Sequence, residues 1–172
     1  MRDPRIDEYA RLLVERSVGV QAGWEVLIRS TPLARPLIEA VMEQIARRGA
    51  YPLLHMAWEP MSGPFARQAP LEVLRVPPPS MTFVWQNCNA FIMISAPENT
   101  REGADLSEER RQALQERSTM FREQQMSMKV PWVVCEYPVN ATAQEAGMTL
   151  DEYTEFIYGA VLLDWDAEGA KM

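Results

Sequence analysis

The chain has 172 residues, enough for one large domain with a sizeable core. Its 47% apolar and 24% charged content is that of a soluble globular protein, and a formal net charge of -7 argues against the basic footprint of a nucleic-acid-binding surface. Two cysteines, Cys88 and Cys135, are too few for a disulfide scaffold, and no run approaches the ~18 apolar residues that cross a bilayer.

In chain order, Asp3-Pro4 reads as an N-cap with proline at the first helical position. Ile6, Tyr9, Leu12 and Leu13 form the stripe of that helix, and Gly19 ends it. The charged start has no apolar core, so no signal peptide is read there, and the expected location is cytoplasmic with reduced thiols. Trp24 to Ile28 is a short apolar run bounded by Gly23 and by Ser30-Thr31-Pro32, the pattern of a buried strand. Ser30 or Thr31 can cap the next helix, and Pro32 suits its first turn. Leu37, Ile38, Val41 and Ile45 recur at helical spacing, Arg47 and Arg48 favour the dipole, and Gly49 can close the helix. A second apolar run, Tyr51 to Met56, follows at once. Strand, helix, strand with short joints is a βαβ unit, which demands a parallel sheet.

From Ala57 to Asn89 the pattern is broken by Pro60, Gly63, Pro64, Pro70 and Pro77-Pro78-Pro79. A short helix is expected over Leu71 to Val76, and another after Ser80 through Met81, Val84, Trp85 and Cys88. Ala90 to Ser95 is a third strand. Asp105 and Glu108 fit a capping box for a long polar helix to about Met126, with a thin seam of Leu106, Ala113, Leu114, Phe121 and Met128. Val130 to Tyr137 is the fourth strand, with Pro131 tolerable only at its start or on an edge. Ala141 to Gly147 makes a helical turn. Thr149 and Glu152 form a capping box, and the helix after it carries Tyr153, Phe156, Ile157, Ala160 and Val161 on one face, ending near Leu163 to Asp166. Met42, Met120, Met126 and Met128 are expected to fill core gaps.

This order is that of an α/β fold: an open, mostly parallel sheet of about four to five strands with helices on both faces, doubly wound and flavodoxin- or Rossmann-like. Such sheets bind ligands beyond the carboxyl ends of their strands. The residues expected to line that cleft are Ser30, Thr31, His55, Glu98, Asn99 and Asn140. No Gly-rich phosphate loop is present, and one histidine with two distant cysteines cannot make a zinc site of usual composition. Glu59, Glu98 and Glu136 lie near strand ends, but their spacing fixes no convergence. Ser30 and Ser95 lack a nucleophile elbow. No catalytic or metal-ligating set is therefore assigned. Trp165 is a large apolar side chain that either folds back on the domain or packs on something else.

Three stretches together resemble one known family. They are IDEYARLLVERSVGVQAGWEVLIRS (Ile6 to Ser30), NAFIMISAPEN (Asn89 to Asn99) and AGMTLDEYTEFIYGAVLLDWDA (Ala146 to Ala167). The chain resembles the N-terminal domain of the aminopeptidase T type metallo-aminopeptidases, whose third stretch reads A-G-M-S-x-E-E-Y before a helix ending in an L-D-W-like sequence. Pro138-Val139 departs from that family's Pro-Thr. The resemblance implies a two-domain, homodimeric peptidase removing N-terminal residues from peptides, with two divalent metal ions of zinc or cobalt type held by the second domain. Residues 1–166 would then be the N-terminal domain, and 167–172 the start of a linker to a catalytic domain missing here. The chain looks cut rather than finished, and alone it is expected to hold no cofactor and to be inactive. The alternative is a free-standing small α/β ligand-binding or dimerisation module. Neither reading involves a nucleic acid or a membrane.

Overall fold

The computed structural model describes residues 2–57, 59–127, 129–165 and 167. Four strands form one sheet: β1 (Glu25–Ser30), β2 (Tyr51–Met56), β3 (Ala90–Ser95) and β4 (Trp132–Glu136). Their order is β2-β1-β3-β4, and every pairing is parallel. The doubly wound α/β reading holds. The fourth strand is an edge strand, so Pro131 costs no ladder bond there.

The helices are α1 (Pro4–Arg11), α2 (Arg35–Arg47), α3 (Glu59–Gln68), α4 (Leu71–Arg75), α5 (Pro79–Asn87), α6 (Glu108–Met126), α7 (Asn140–Glu145) and α8 (Leu150–Val161). Asp3 caps α1, its carboxylate accepting from the Arg5 N–H at 2.9 Å. A π-helical turn over Leu12–Ser17 continues α1. Its extra residue per turn, with the Val18 N–H donating to the Leu13 carbonyl at 3.1 Å, lets Leu13 and Val18, five apart, both face the core. Leu37, Ile38, Val41 and Ile45 of α2 are all buried. Gly49, at φ 71°, makes the left-handed turn that aims the chain into β2. Thr149 and Glu152 close the capping box of α8.

The two faces are covered differently. On one, α1, α2 and α8 pack over Val26 and Ile28 of β1 and Ile92 and Ile94 of β3, in the largest buried cluster. Tyr9 and Tyr158 meet edge to face at 6.2 Å, and Arg5 lies over Tyr158 while holding Glu155 at 2.8 Å. On the other face, Trp85 and Cys88 near α5 and Phe121 of α6 pack over Leu27 and Phe91.

Several local expectations are corrected. The helix α3 spans the Pro60–Pro64 region that reads as broken. Its last carbonyls are satisfied from outside: Arg110 donates to those of Ala66 and Ala69 at 2.8 and 2.9 Å. Ser107, not Asp105, is the N-cap of α6, because Asp105 is taken by Arg67 at 2.8 Å. Pro78 rather than Ser80 precedes α5. Phe156 is 57% exposed and Ala160 is also exposed, and the buried face of α8 is Tyr153, Ile157 and Tyr158. Met126 is exposed while Met42 packs on the main core. Met128, Asp166, residues 168–172 and the side chain of Met120 lie outside the described residues.

Candidate functional site

A strand order of 2-1-3-4 reverses direction between β1 and β3, so the ligand crevice of an open parallel sheet is due at the carboxyl ends of these two strands. Here that point is stitched together. Ser30, 3% exposed, donates through Oγ to the carbonyl of Ile94 at 2.9 Å, with a longer contact to Thr31 O at 3.4 Å. Thr31 Oγ1 donates to the carbonyl of Ala96. Neither hydroxyl caps the helix that follows: Thr31 precedes a 3-10 turn over Pro32–Ala34 with no side-chain bond to it, and Ala34 stands at the N-cap position of α2. Both instead satisfy carbonyls beyond the last β1–β3 pair, Arg29 with Met93, where that ladder has stopped.

The other strand ends are arranged as follows. His55 is half-buried on β2, the register partner of Arg29 on β1. Its Nδ1 is buried with no hydrogen-bond partner among the described residues. Burial first, and then the charges of Arg29 and Arg117, hold its pKa below the ordinary value. Glu98 and Asn99 are exposed in the loop after β3, and Asn99 Oδ1 accepts from the Arg101 N–H at 3.0 Å. Asn140 is the exposed first residue of α7. Glu136, at the end of β4, accepts from Tyr153 Oη at 2.7 Å, and its backbone carbonyl accepts from Tyr9 Oη at 3.3 Å. Ser95 is exposed, and its carbonyl accepts from the Tyr137 N–H. The structure thus joins Ser30 and Thr31 through β3, while Asn99 serves its own turn and Asn140 stands exposed at the start of α7.

Among the described residues, no three of His, Cys, Asp and Glu come together in a way that could hold a metal ion. The two arginines beside His55 repel a cation there. The residues described here do not fit the metal pair that the family resemblance implies. Both cysteines are free, and burial pushes each thiol up to about 12, so neither is a thiolate nucleophile at neutral pH. No helix of the described residues is long and apolar enough to cross a membrane.

Sequence reasoning passed over Arg29. It breaks an otherwise apolar strand, and that interruption was the available signal. It also passed over a groove of about 480 Å³ at the β4 edge, lined by Leu12, Val134, Cys135, Ile157 and Trp165 among others. Trp165 folds back here, its Nε1 donating to the Val161 carbonyl at 2.8 Å.

Residues 2–170 match the family model for the thermophilic metalloproteases (M29). No curated protein matches the sequence. Among solved structures, wild-type AmpT from Thermus thermophilus is similar in fold, with a TM-score of 0.72 at 15% identity. The match covers 92% of this chain and 42% of the AmpT chain, so this chain spans less than half the length of the structure it matches.

Proposed function

The chain belongs to the thermophilic metalloprotease family M29, and from that premise we propose that it is the N-terminal, non-catalytic α/β domain of a metal-dependent aminopeptidase. On this reading the parent enzyme removes N-terminal residues from peptides. Its catalytic half, carrying two divalent ions of zinc or cobalt type, is a partner of residues 1–166, and residues 167–172 begin the link between them. The parent is a cytoplasmic homodimer. When bound, the ions would activate a water and polarise the scissile carbonyl.

The residues of this chain have a different task. The observation that carries the reading is that family membership extends over residues 2–170 of a chain whose switch-point crevice is closed by its own hydroxyls. Ser30 and Thr31 tie β1 to β3 and stiffen the rim of strand ends, which leaves a rigid support rather than a pocket at that point. Glu98, Asn99 and Asn140 lie exposed beyond it, where they would shape access to a neighbouring site.

The test is hydrolysis of leucine p-nitroanilide with added cobalt or zinc. The isolated chain is expected to be inactive, and activity is expected when the 172 residues are joined to a catalytic half from a family member. Metal-dependent turnover by the chain alone refutes the reading.

A further inference from the structure

Where the α5–α6 face meets the ends of β1 and β2, three nitrogen-bearing side chains gather with no carboxylate paired to them among the described residues. Leu27 and Leu53 are register partners that pack into the aromatic cluster on this face. Two residues on, Arg29 and His55 are again partners, so both leave the sheet on the same side. Arg117 reaches in from α6, its guanidinium 5.8 Å from the ring centroid of Phe65 on α3. It is near enough to disfavour positive charge on both Arg29 and His55.

Several other arginines in this acidic chain find carboxylates, and Arg48 and Arg110 find backbone carbonyls. Arg5, Arg67, Arg75 and Arg111 are paired at 3.2 Å or less. Among the described residues, no carboxylate pairs with Arg29 or Arg117. The Nδ1 of His55, buried beside them, also has no partner. Holding like charges together next to an unsatisfied buried nitrogen costs free energy, and a bound anion removes that cost.

We propose that Arg29, His55 and Arg117 form a binding site for an oxyanion, the carboxylate or phosphate group of a small ligand. The guanidinium forks suit two oxygens each, and the imidazole supplies a third contact from the side. In the empty protein, burial and the two arginines disfavour the protonated imidazole of His55. A bound anion reverses the local field, so the imidazole takes up a proton as the ligand enters. The site is independent of the aminopeptidase reading, because hydrolysis and this binding are measured separately and fail separately.

His55 is the single histidine, so in tag-free protein its imidazole is an unambiguous NMR reporter. Inorganic phosphate, an N-acetylated dipeptide with a free C-terminus, and the same dipeptide as its amide are each titrated into the full chain. A saturable shift with a rise in the His55 pKa is expected. If phosphate alone gives it, the site takes free ions. If the free-carboxylate peptide gives it and the amide does not, the site takes a peptide terminus. R29Q and R117Q should each weaken binding about tenfold or more, as loss of a charge-assisted pair does. R117K keeps the charge but should still bind more weakly, and R35Q, remote on α2, should change nothing. The proposal is overturned if neither anion gives a saturable shift, if chloride at equal ionic strength gives the same one, or if R29Q and R117Q, still folded by circular dichroism, leave it intact.

Discussion

The two faces of the sheet solve different problems. Under α1, α2 and α8 the contacts are mostly aliphatic and extend from Ile6 to Tyr158, with Arg2 and Arg5 at the rim paired to carboxylates and Arg5 also stacked on Tyr158. Under α5 and α6 the dry part is a small aromatic knot, in which Phe121 meets Trp85 and Phe91 at 5.1 Å each. Beyond that knot the same face turns cationic. The first face spends its side chains on cohesion. The second concentrates cohesion in three rings and leaves Arg29, His55 and Arg117 without a carboxylate partner among the described residues, Arg117 touching only the Phe65 ring. Side chains that a fold does not need for packing are where recognition is best sought.

This contrast can be broken at the rings first. Phe91, fully buried between Phe121 and the sheet, should cost about 3–5 kcal/mol as Phe91→Ala, because one truncation dissolves the knot. Ile28→Ala, equally buried in the larger aliphatic cluster, should fall lower within a range of about 2–5 kcal/mol, since its neighbours share the loss. Urea unfolding of both decides the order, and a costlier Ile28→Ala would show that the aromatic face is the less concentrated one. Ser30→Ala leaves the Ile94 carbonyl unpaired in a buried place and should cost about 1–3 kcal/mol. Thr149→Ala removes one arm of the α8 capping box, worth about 1 kcal/mol by thermal unfolding.

The smallest effect is on pH. The folded-state pKa of His55 lies below its ordinary value of 6.5, so the unfolded chain binds the proton first. Stability should therefore be lost as pH falls from about 6.5 toward the folded pKa, and be fully present above it. H55Q should remove that slope, and R117Q should reduce it. An unchanged slope in H55Q would mean that the imidazole is not the group responsible.

Much of this architecture was legible in the residues because it rests on local physics. Strand β3 was read with its observed bounds, since a strand covered on both faces shows a continuous apolar run. The α8 capping box needs only Thr149 and Glu152, three positions apart. What was missed depends on distant partners. Helix α3 forms across Pro60 and Pro64 with Arg110, far along the chain, terminating it and Arg67 anchoring it to Glu102 and Asp105. The Ser30 and Thr31 hydroxyls resemble helix caps until β3 is placed beside them. The cationic cluster was hidden for the same reason: Arg29, His55 and Arg117 are scattered in sequence and meet only through strand register and the path of α6.

The placement of β3 beside β1 also sets the order in which the molecule can assemble. The βαβ unit of β1, α2 and β2 is local and can close early, but one flank of β1 then waits for a strand 64 positions further on. Until that strand docks, a hydrophobic ribbon with unsatisfied amides is open to any passing chain. The entropy of closing that loop comes before the reward of the β1–β3 ladder, so the interval before β3 docks is the stage most exposed to aggregation.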